Sequence, residues 1–275
     1  MSVGRSKITP YKQHCFKTIL KENIYKCNCV FKKHEGKEWL PKNPKYYIYD
    51  FTSGDMKTKD TSSYIILQTL LDDLERINFK AKFYEKSIRK PPTYKSLKEN
   101  IHNFIKFIED KNERNYFLHN IKIHPINFQN DKTLFSKSEG KLGLAYFDSN
   151  GIGDFSDWKA LSKFSESHKM TDILLNISIT QLKRCFWSPA ASHNLTLFQL
   201  LSTINKNHWW VRTIPKKNNH WKFVMLFATN MSTYLLNKED FFEANLTDIY
   251  NVDRYPGNGL INGCDEFITS KNNKK

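Results

Sequence analysis

Five times along this chain of 275 residues, a short apolar run gives way to a stretch with helical periodicity. That alternation limits the fold more than any other feature, because the two periods, near 2 and near 3.6, cannot share one local structure. "KYYIYDF" at 45–51 is strand-like in its aromatic and β-branched content. "SYIILQTLLDDLERI" at 63–77 follows, with Ile66, Leu67, Leu70, Leu71 and Leu74 on one stripe. "KAKFYE" at 80–85 is a second short strand, and a helix beginning at Pro91-Pro92 carries Leu97, Ile101, Phe104, Ile105 and Ile108 at helical spacing. "NIKIHPINF" at 120–128 is a third strand, cut short by Pro125. "LGLAYF" at 142–147 is the fourth, followed by a helix over 156–168 with Ser156 as its expected N-cap. "TDILLNIS" at 171–178 is the fifth, and its near-unbroken Ile and Leu content fits a strand buried on both faces. A helix over 194–205 and a strand–turn–strand over 208–230, closed by Lys216 to Asn219, complete the pattern. An earlier helix is expected over 10–24, while "CNCVFKKHEGKEW" is ambiguous.

Alternation of this kind predicts an α/β protein: a doubly wound, mostly parallel seven-stranded sheet ending in an antiparallel C-terminal hairpin. The expected domain covers 1–269, with a disordered basic tail at 270–275. Twenty Phe and 13 Tyr are enough for a substantial core. No apolar run approaches the roughly 20 residues needed to cross a bilayer. The polar start "MSVGRSKITPYKQH" lacks the apolar segment of a signal peptide, so a cytoplasmic chain is expected, with no membrane partner. The five cysteines (15, 27, 29, 185 and 264) then read as reduced thiols. Cys27 and Cys29 near His34 do not have the spacing of a zinc ribbon or finger, so no metal is expected.

Forty-three Lys and Arg against 28 Asp and Glu leave a net charge of +15. A field of that sign attracts polyanions, so nucleic acid, DNA or RNA, is the expected partner. The alternative is a set of solvated surface lysines. Lys86, Arg89 and Lys90, then Lys183 and Arg184, then Lys216 and Lys217 are the clusters that could touch phosphate. Trp209, Trp210 and Trp221 flank the last group, either as a single-strand-binding surface or as ordinary sheet core.

Ligands of open α/β sheets bind at the carboxyl ends of the strands. Polar residues do collect there: Asp50-Phe51-Thr52-Ser53-Gly54-Asp55 after strand one, Glu85 after strand two and Asn127 after strand three. Asp148-Ser149-Asn150-Gly151 follows strand four, and Asn176 and Ser178 close strand five. Each acid alone could equally cap a helix or sit solvated. A glycine-containing loop after the first strand lets backbone approach a ligand closely, and an acid after the second is where a ribose diol is gripped in nucleoside-binding folds.

"YYIYDFTSGD", "KFYEKS" and "GLAYFDSNG", with the terminal hairpin, resemble a class I S-adenosylmethionine-dependent methyltransferase over residues 10 to about 230. The likeness is to the three-Cys-motif partner proteins and similar phage-type nucleic-acid methyltransferases acting on adenine amino groups. The resemblance implies a Rossmann-like methyltransferase fold with S-adenosylmethionine as cofactor. It places Asp50, Thr52, Ser53 and Gly54 in the cofactor loop, Glu85 on the ribose hydroxyls and Asn127 against the adenine. It also brings the segment of Tyr11, Lys12 and His14 toward the cofactor carboxylate, and makes Asp148, Ser149, Asn150 and Gly151 the catalytic, target-side motif. Among the basic clusters, Lys183, Arg184, Lys216 and Lys217 are the expected nucleic-acid contacts. The sequence departs from the family at three points. Asp55 or Met56 stands where the loop has a second glycine, Ser149 replaces a proline, and no aromatic follows at Gly151 to stack a target base. Tyr146, Phe155 or Trp187 would have to supply that ring. A cysteine nucleophile of the cytosine-ring kind would have to be Cys185. Two other readings stay open: a catalytically degenerate binding or inhibitory protein of the same fold, and a small-molecule methyltransferase.

Overall fold

The computed structural model describes residues 9–75, 77–85, 93–136, 141–148, 155–178, 197–212, 223–231 and 241–244. The chain divides into two compact units, Met1–Tyr146 and Phe147–Lys275.

The first unit is built on parallel strands. β1 (Tyr46–Asp50) lies between β2 (Phe79–Tyr84) and β4 (Gly143–Asp148), whose last two residues fall in the second unit, and β3 (Ile121–His124) pairs with β2. The order β3-β2-β1-β4 reverses direction at β1, so the β1/β4 junction is a topological switch point. Aromatic and β-branched residues dominate β1, as its pleated, buried position favours. Gly143 is required at the start of β4: a Cβ there would stand 1.8 Å from the backbone oxygen of Tyr47.

Helices α1 (Thr9–Lys33), α2 (Ser62–Asp72), α3 (Thr93–Lys106) and α4 (Lys111–Asn120) complete this unit. α1 packs on the face that holds Tyr46 and Tyr146. The Tyr46 hydroxyl donates to buried Asn23 at 2.9 Å, and Phe16 stacks on Tyr146 with centroids 4.2 Å apart. α4 meets the same face, where Phe117 packs edge-on against Phe79 at 5.0 Å. α1 runs nine residues past the expected end at 24, through the ambiguous "CNCVFKK". Cys27 is buried and Cys29 exposed on that helix, so the two thiols leave it in different directions. α4 was not legible as a helix, but Asp110 caps it, accepting from the amides of Asn112 and Glu113 at 2.8 Å. β3 stops at His124, before Pro125, and two 3-10 turns (Phe128–Asn130 and Lys132–Phe135) follow.

In the second unit, β5 (Thr171–Ser178) pairs antiparallel with β7 (Phe223–Thr229), which pairs antiparallel with β6 (His208–Arg212). The expected hairpin is therefore present, its turn lying outside the described residues. β8 (Phe241–Ala244), which carried no sequence signal, adds to β6. Thr171 to Ile177 are buried without exception, as a strand covered on both faces requires. Trp209 and Trp210 are buried too, which settles them as sheet core. α5 (Phe155–Ser167) begins one residue before Ser156, so Ser156 sits inside the first turn instead of capping it. α6 (Leu197–Ser202) ends before 205, the expected end, and residues 194–196 lie outside the described residues. The fold class is the α/β one read from the sequence: a parallel sheet with antiparallel strands toward the C-terminus. The basic tail at 270–275 lies outside the described residues.

Lys206 is buried among these elements and donates to the carbonyls of His168 and Lys169 at 3.3 and 2.9 Å. Burial pulls its ammonium down to about 8, with the charge of Asp172 acting the other way. A free lysine titrates near 10.4. Between these values the unfolded chain holds more protons, so this group makes the folded state more stable as pH rises from about 8 to about 10.4. Denaturant unfolding over that range should show the rise in wild type and a smaller one in Lys206→Gln. Equal slopes would contradict the assignment. No described helix is long and apolar enough to cross a membrane.

Candidate functional site

The β1–α2 connection is a tightly organised loop. Asp50 is fully buried at the end of β1. Its Oδ1 accepts from the Thr52 amide at 3.2 Å and its Oδ2 from the Ser62 hydroxyl at 2.7 Å. A buried carboxylate is tolerated where it is hydrogen-bonded in this way. Ser53 is locked as well: its hydroxyl donates to the Asp50 carbonyl at 3.0 Å, its amide to the Tyr84 carbonyl at 3.2 Å, and its carbonyl accepts from Ser63 at 2.7 Å. Asp50 and Ser53 therefore shape the loop from within. Thr52 and Gly54 are the members that reach partial exposure.

Gly54 adopts φ +67, a left-handed conformation that favours glycine, and a Cβ there would meet nothing within 4 Å. Its amide donates to Glu85 Oε2 at 2.9 Å. Glu85 is half-buried, the first residue beyond β2, and its own amide is held by the His124 carbonyl at 3.1 Å. The loop glycine after the first strand and the acid after the second are thus joined directly, beside the switch point. A carboxylate offers about four lone-pair sites, so holding one amide is compatible with gripping a ribose diol.

Met56, one of the two residues (with Asp55) expected at the loop's second glycine position, has φ 56 and is 6% exposed. The backbone keeps the glycine-like conformation although the side chain disfavours it, at about 1–2 kcal/mol. Burying the methionine returns about 1.5–3 kcal/mol, which is why the residue persists. Met56→Gly should therefore lower stability by about 1 kcal/mol in denaturant unfolding, the difference of these two effects. A stabilised variant would show that the strain dominates.

The other expected residues are distributed unevenly. Lys12 is half-buried and His14 exposed on α1. Between them, Gln13 bonds to the β1–α2 connection through the Asp60 carbonyl at 2.5 Å. Asn127 precedes the first 3-10 turn and caps it with no side-chain hydrogen bond. Its neighbour Phe128 stacks on Phe51 at 4.4 Å. Asp148 ends β4, half-buried, and its Oδ1 accepts from Asn176 Nδ2 at 2.9 Å. Asn176 is 2% exposed, a buried amide that fixes one oxygen of the acid. Tyr146 is buried against Phe16, so it is not a ring for stacking a base. Ser149, Asn150, Gly151, Cys185, Trp187, Trp221, Lys86, Arg89, Lys90, Lys183, Arg184, Lys216 and Lys217 lie outside the described residues.

Sequence reasoning missed Ser62, Ser63 and Gln13, which hold the loop in shape. "TSS" at 61–63 was the available signal, a hydroxyl cluster opening the helix after strand one. It also missed the network behind Glu85. Asp131 accepts from the Tyr84 hydroxyl at 2.8 Å and from the Thr133 hydroxyl at 2.6 Å, and His124 stacks on Tyr84 at 4.6 Å. Burial pushes the Tyr84 phenol far up, reinforced by the hydrogen bond to Asp131, so it stays a donor at any ordinary pH.

No family model matches the chain, and no curated protein matches it. Among solved structures it is similar to protein LPL1258 from Legionella pneumophila, at 10% identity over 88% of this chain and 94% of that one, with a TM-score of 0.42. It is similar to the methyltransferase domain of bacterial CtHen1, at 11% identity over 76% and 98%, TM-score 0.41. A geranyl diphosphate methyltransferase solved with S-adenosylmethionine gives 9% identity over 74% and 84%, TM-score 0.39. Likeness at this level assigns no activity.

Proposed function

We propose that the chain is an S-adenosylmethionine-dependent methyltransferase that modifies an exocyclic amino group of a base, adenine favoured, in DNA or RNA. The observation that carries this reading is the 2.9 Å bond from the Gly54 amide to Glu85, beside the switch point of a parallel sheet. That is where the first-strand loop and second-strand acid of a nucleoside site belong. In this reading Glu85 holds the ribose hydroxyls, the Gly54 backbone lies against the ligand, and Asn127 faces the adenine. Lys12 and His14 approach the carboxylate.

The bound cofactor would supply a methyl group made electrophilic by a sulfonium. An amino group on a base is a poor nucleophile because its lone pair is delocalised into the ring. Asp148 accepts an N–H of that group and favours the pyramidal geometry that attacks, and the Ser149 carbonyl is the second acceptor. Asn176 is a positioning residue, holding Asp148 through Oδ1. Most of the rate would come from this alignment and from the fixed charge.

A second reading, a degenerate binding module, draws on Met56, whose buried side chain occupies the loop where a glycine would leave room. Titration calorimetry of the full chain with S-adenosylmethionine separates the two. Saturable one-to-one binding supports the first reading, and no heat of binding at millimolar ligand removes it.

A further inference from the structure

One face of the parallel sheet in the first unit has a composition that core packing does not explain. Register places Tyr47 beside Lys80, Tyr49 beside Lys82, and Lys82 beside Lys122, so these side chains leave the sheet on the same side. Lys141, two residues ahead of β4, joins them: its Nζ lies 5.6 Å from the centre of the Tyr47 ring. Lys80 and Lys122 are exposed, and Tyr47, Lys82 and Lys141 are half-buried. α1 and α4 pack on the opposite side, against Tyr46 and Phe79. In a doubly wound sheet, helices cover both faces. Here the described part of the β3–β4 connection holds two short 3-10 turns at the carboxyl end, where Phe128 stacks on Phe51 and Asp131 meets Tyr84. Tyr49 is buried on this face, and its exposed positions are Lys80 and Lys122.

Lysines facing one another across a sheet repel, and a chain gains no stability from that arrangement alone. Burial lowers the ammonium groups of Lys82 and Lys141, and the neighbouring lysines lower them further: Lys122 and Lys80 act on Lys82, and Lys82 and Lys80 on Lys141. Asp131 opposes this at Lys82. Such a patch is relieved by a polyanion whose charges repeat along a line. The half-exposed Tyr47 ring adds the flat apolar element that single-strand binders use against bases.

We propose that this basic sheet face, exposed at Lys80 and Lys122 and half-buried at Tyr47, Lys82 and Lys141, docks the sugar-phosphate backbone of a single nucleic-acid strand. It deepens the reading of the chain as a nucleic-acid methyltransferase by naming a surface for the substrate remote from the chemistry. Lys80 lies five residues before Glu85 along β2, roughly 16 Å by the rise of a strand.

The test uses the full chain and a fluorescein-labelled 20-nucleotide single strand, as RNA and as DNA, with anionic phospholipid vesicles as competitor. Lys80→Glu with Lys122→Glu is compared with Lys95→Glu and Lys98→Glu, two exposed lysines on α3 that give the same change of net charge. The sheet-face pair is expected to weaken oligonucleotide binding about 10-fold or more at low salt. It should also reduce the slope of log K against log salt by about 1.4, two contacts at roughly 0.7 each. The α3 pair should change binding about twofold. Lys82→Gln with Lys141→Gln, which alters volume little, gives a second reading of the same face. Equal losses in the sheet-face and α3 pairs would overturn the proposal, as would absence of oligonucleotide binding by wild type or displacement of the oligonucleotide by vesicles through the same lysines. If wild type binds oligonucleotide through this face but binds no S-adenosylmethionine, the surface stands and the methyltransferase reading falls.

Discussion

Glu85→Ala is expected to weaken S-adenosylmethionine binding about 10- to 100-fold, the worth of roughly 1.5–3 kcal/mol for hydrogen bonds to a charged group. Two losses combine. The carboxylate that would hold the ribose hydroxyls is gone, and the Gly54 amide loses the acceptor now 2.9 Å away. Glu85→Gln separates them, because its amide oxygen can still accept from Gly54 while the charge is lost. Its affinity should fall between wild type and alanine. Titration calorimetry reads both variants, and unfolding curves establish that each is folded. Wild-type affinity in Glu85→Ala would remove Glu85 from the ligand and with it the reason for reading this loop as a nucleoside site.

Asp148→Ala is expected to reduce methyl transfer by about 10²- to 10³-fold while leaving cofactor affinity within about twofold of wild type, the size of effect seen when one group acting on the transition state is removed. The split between rate and binding is the diagnostic part: a residue that merely supports the fold would move both. Asn176→Leu offers the companion measurement. It keeps Asp148 but removes the amide that fixes Oδ1, so transfer should fall by a smaller factor, about 10-fold, with cofactor affinity unchanged. Asp148→Ala transferring methyl as wild type does would end the assigned role.

Strands β1 to β7 were legible because each is short and bounded by polar residues, and the apolar run of β5 in particular fits a covered sheet. Glu85 and Gly54 were legible as members of a strand-end pattern. Their direct bond was not, because sequence does not give the loop conformation that turns the Gly54 amide toward the acid. The helix α4 and the strand β8 were missed for different reasons. "KNERNYFLHN" buries only Phe117 and Asn120, too little for a stripe. "FFEA" is four residues long and acquires its strand character by pairing with β6. Asp50 shows the limit most clearly. It closes β1, and its carboxylate accepts from Thr52 and Ser62, contacts that only the tertiary structure reveals. The basic sheet face escaped notice because its lysines come from β2, β3 and the segment before β4, far apart in sequence and united only by register.

The most direct measurement is mass spectrometry of nucleosides from RNA and DNA incubated with the full chain and S-adenosylmethionine carrying a deuterated methyl group. The expected result is one new nucleoside, heavier by that methyl on an exocyclic amino group, adenine first, absent when Asp148→Ala replaces wild type. A labelled methyl on no nucleoside, from a folded chain that binds the cofactor, would contradict the account.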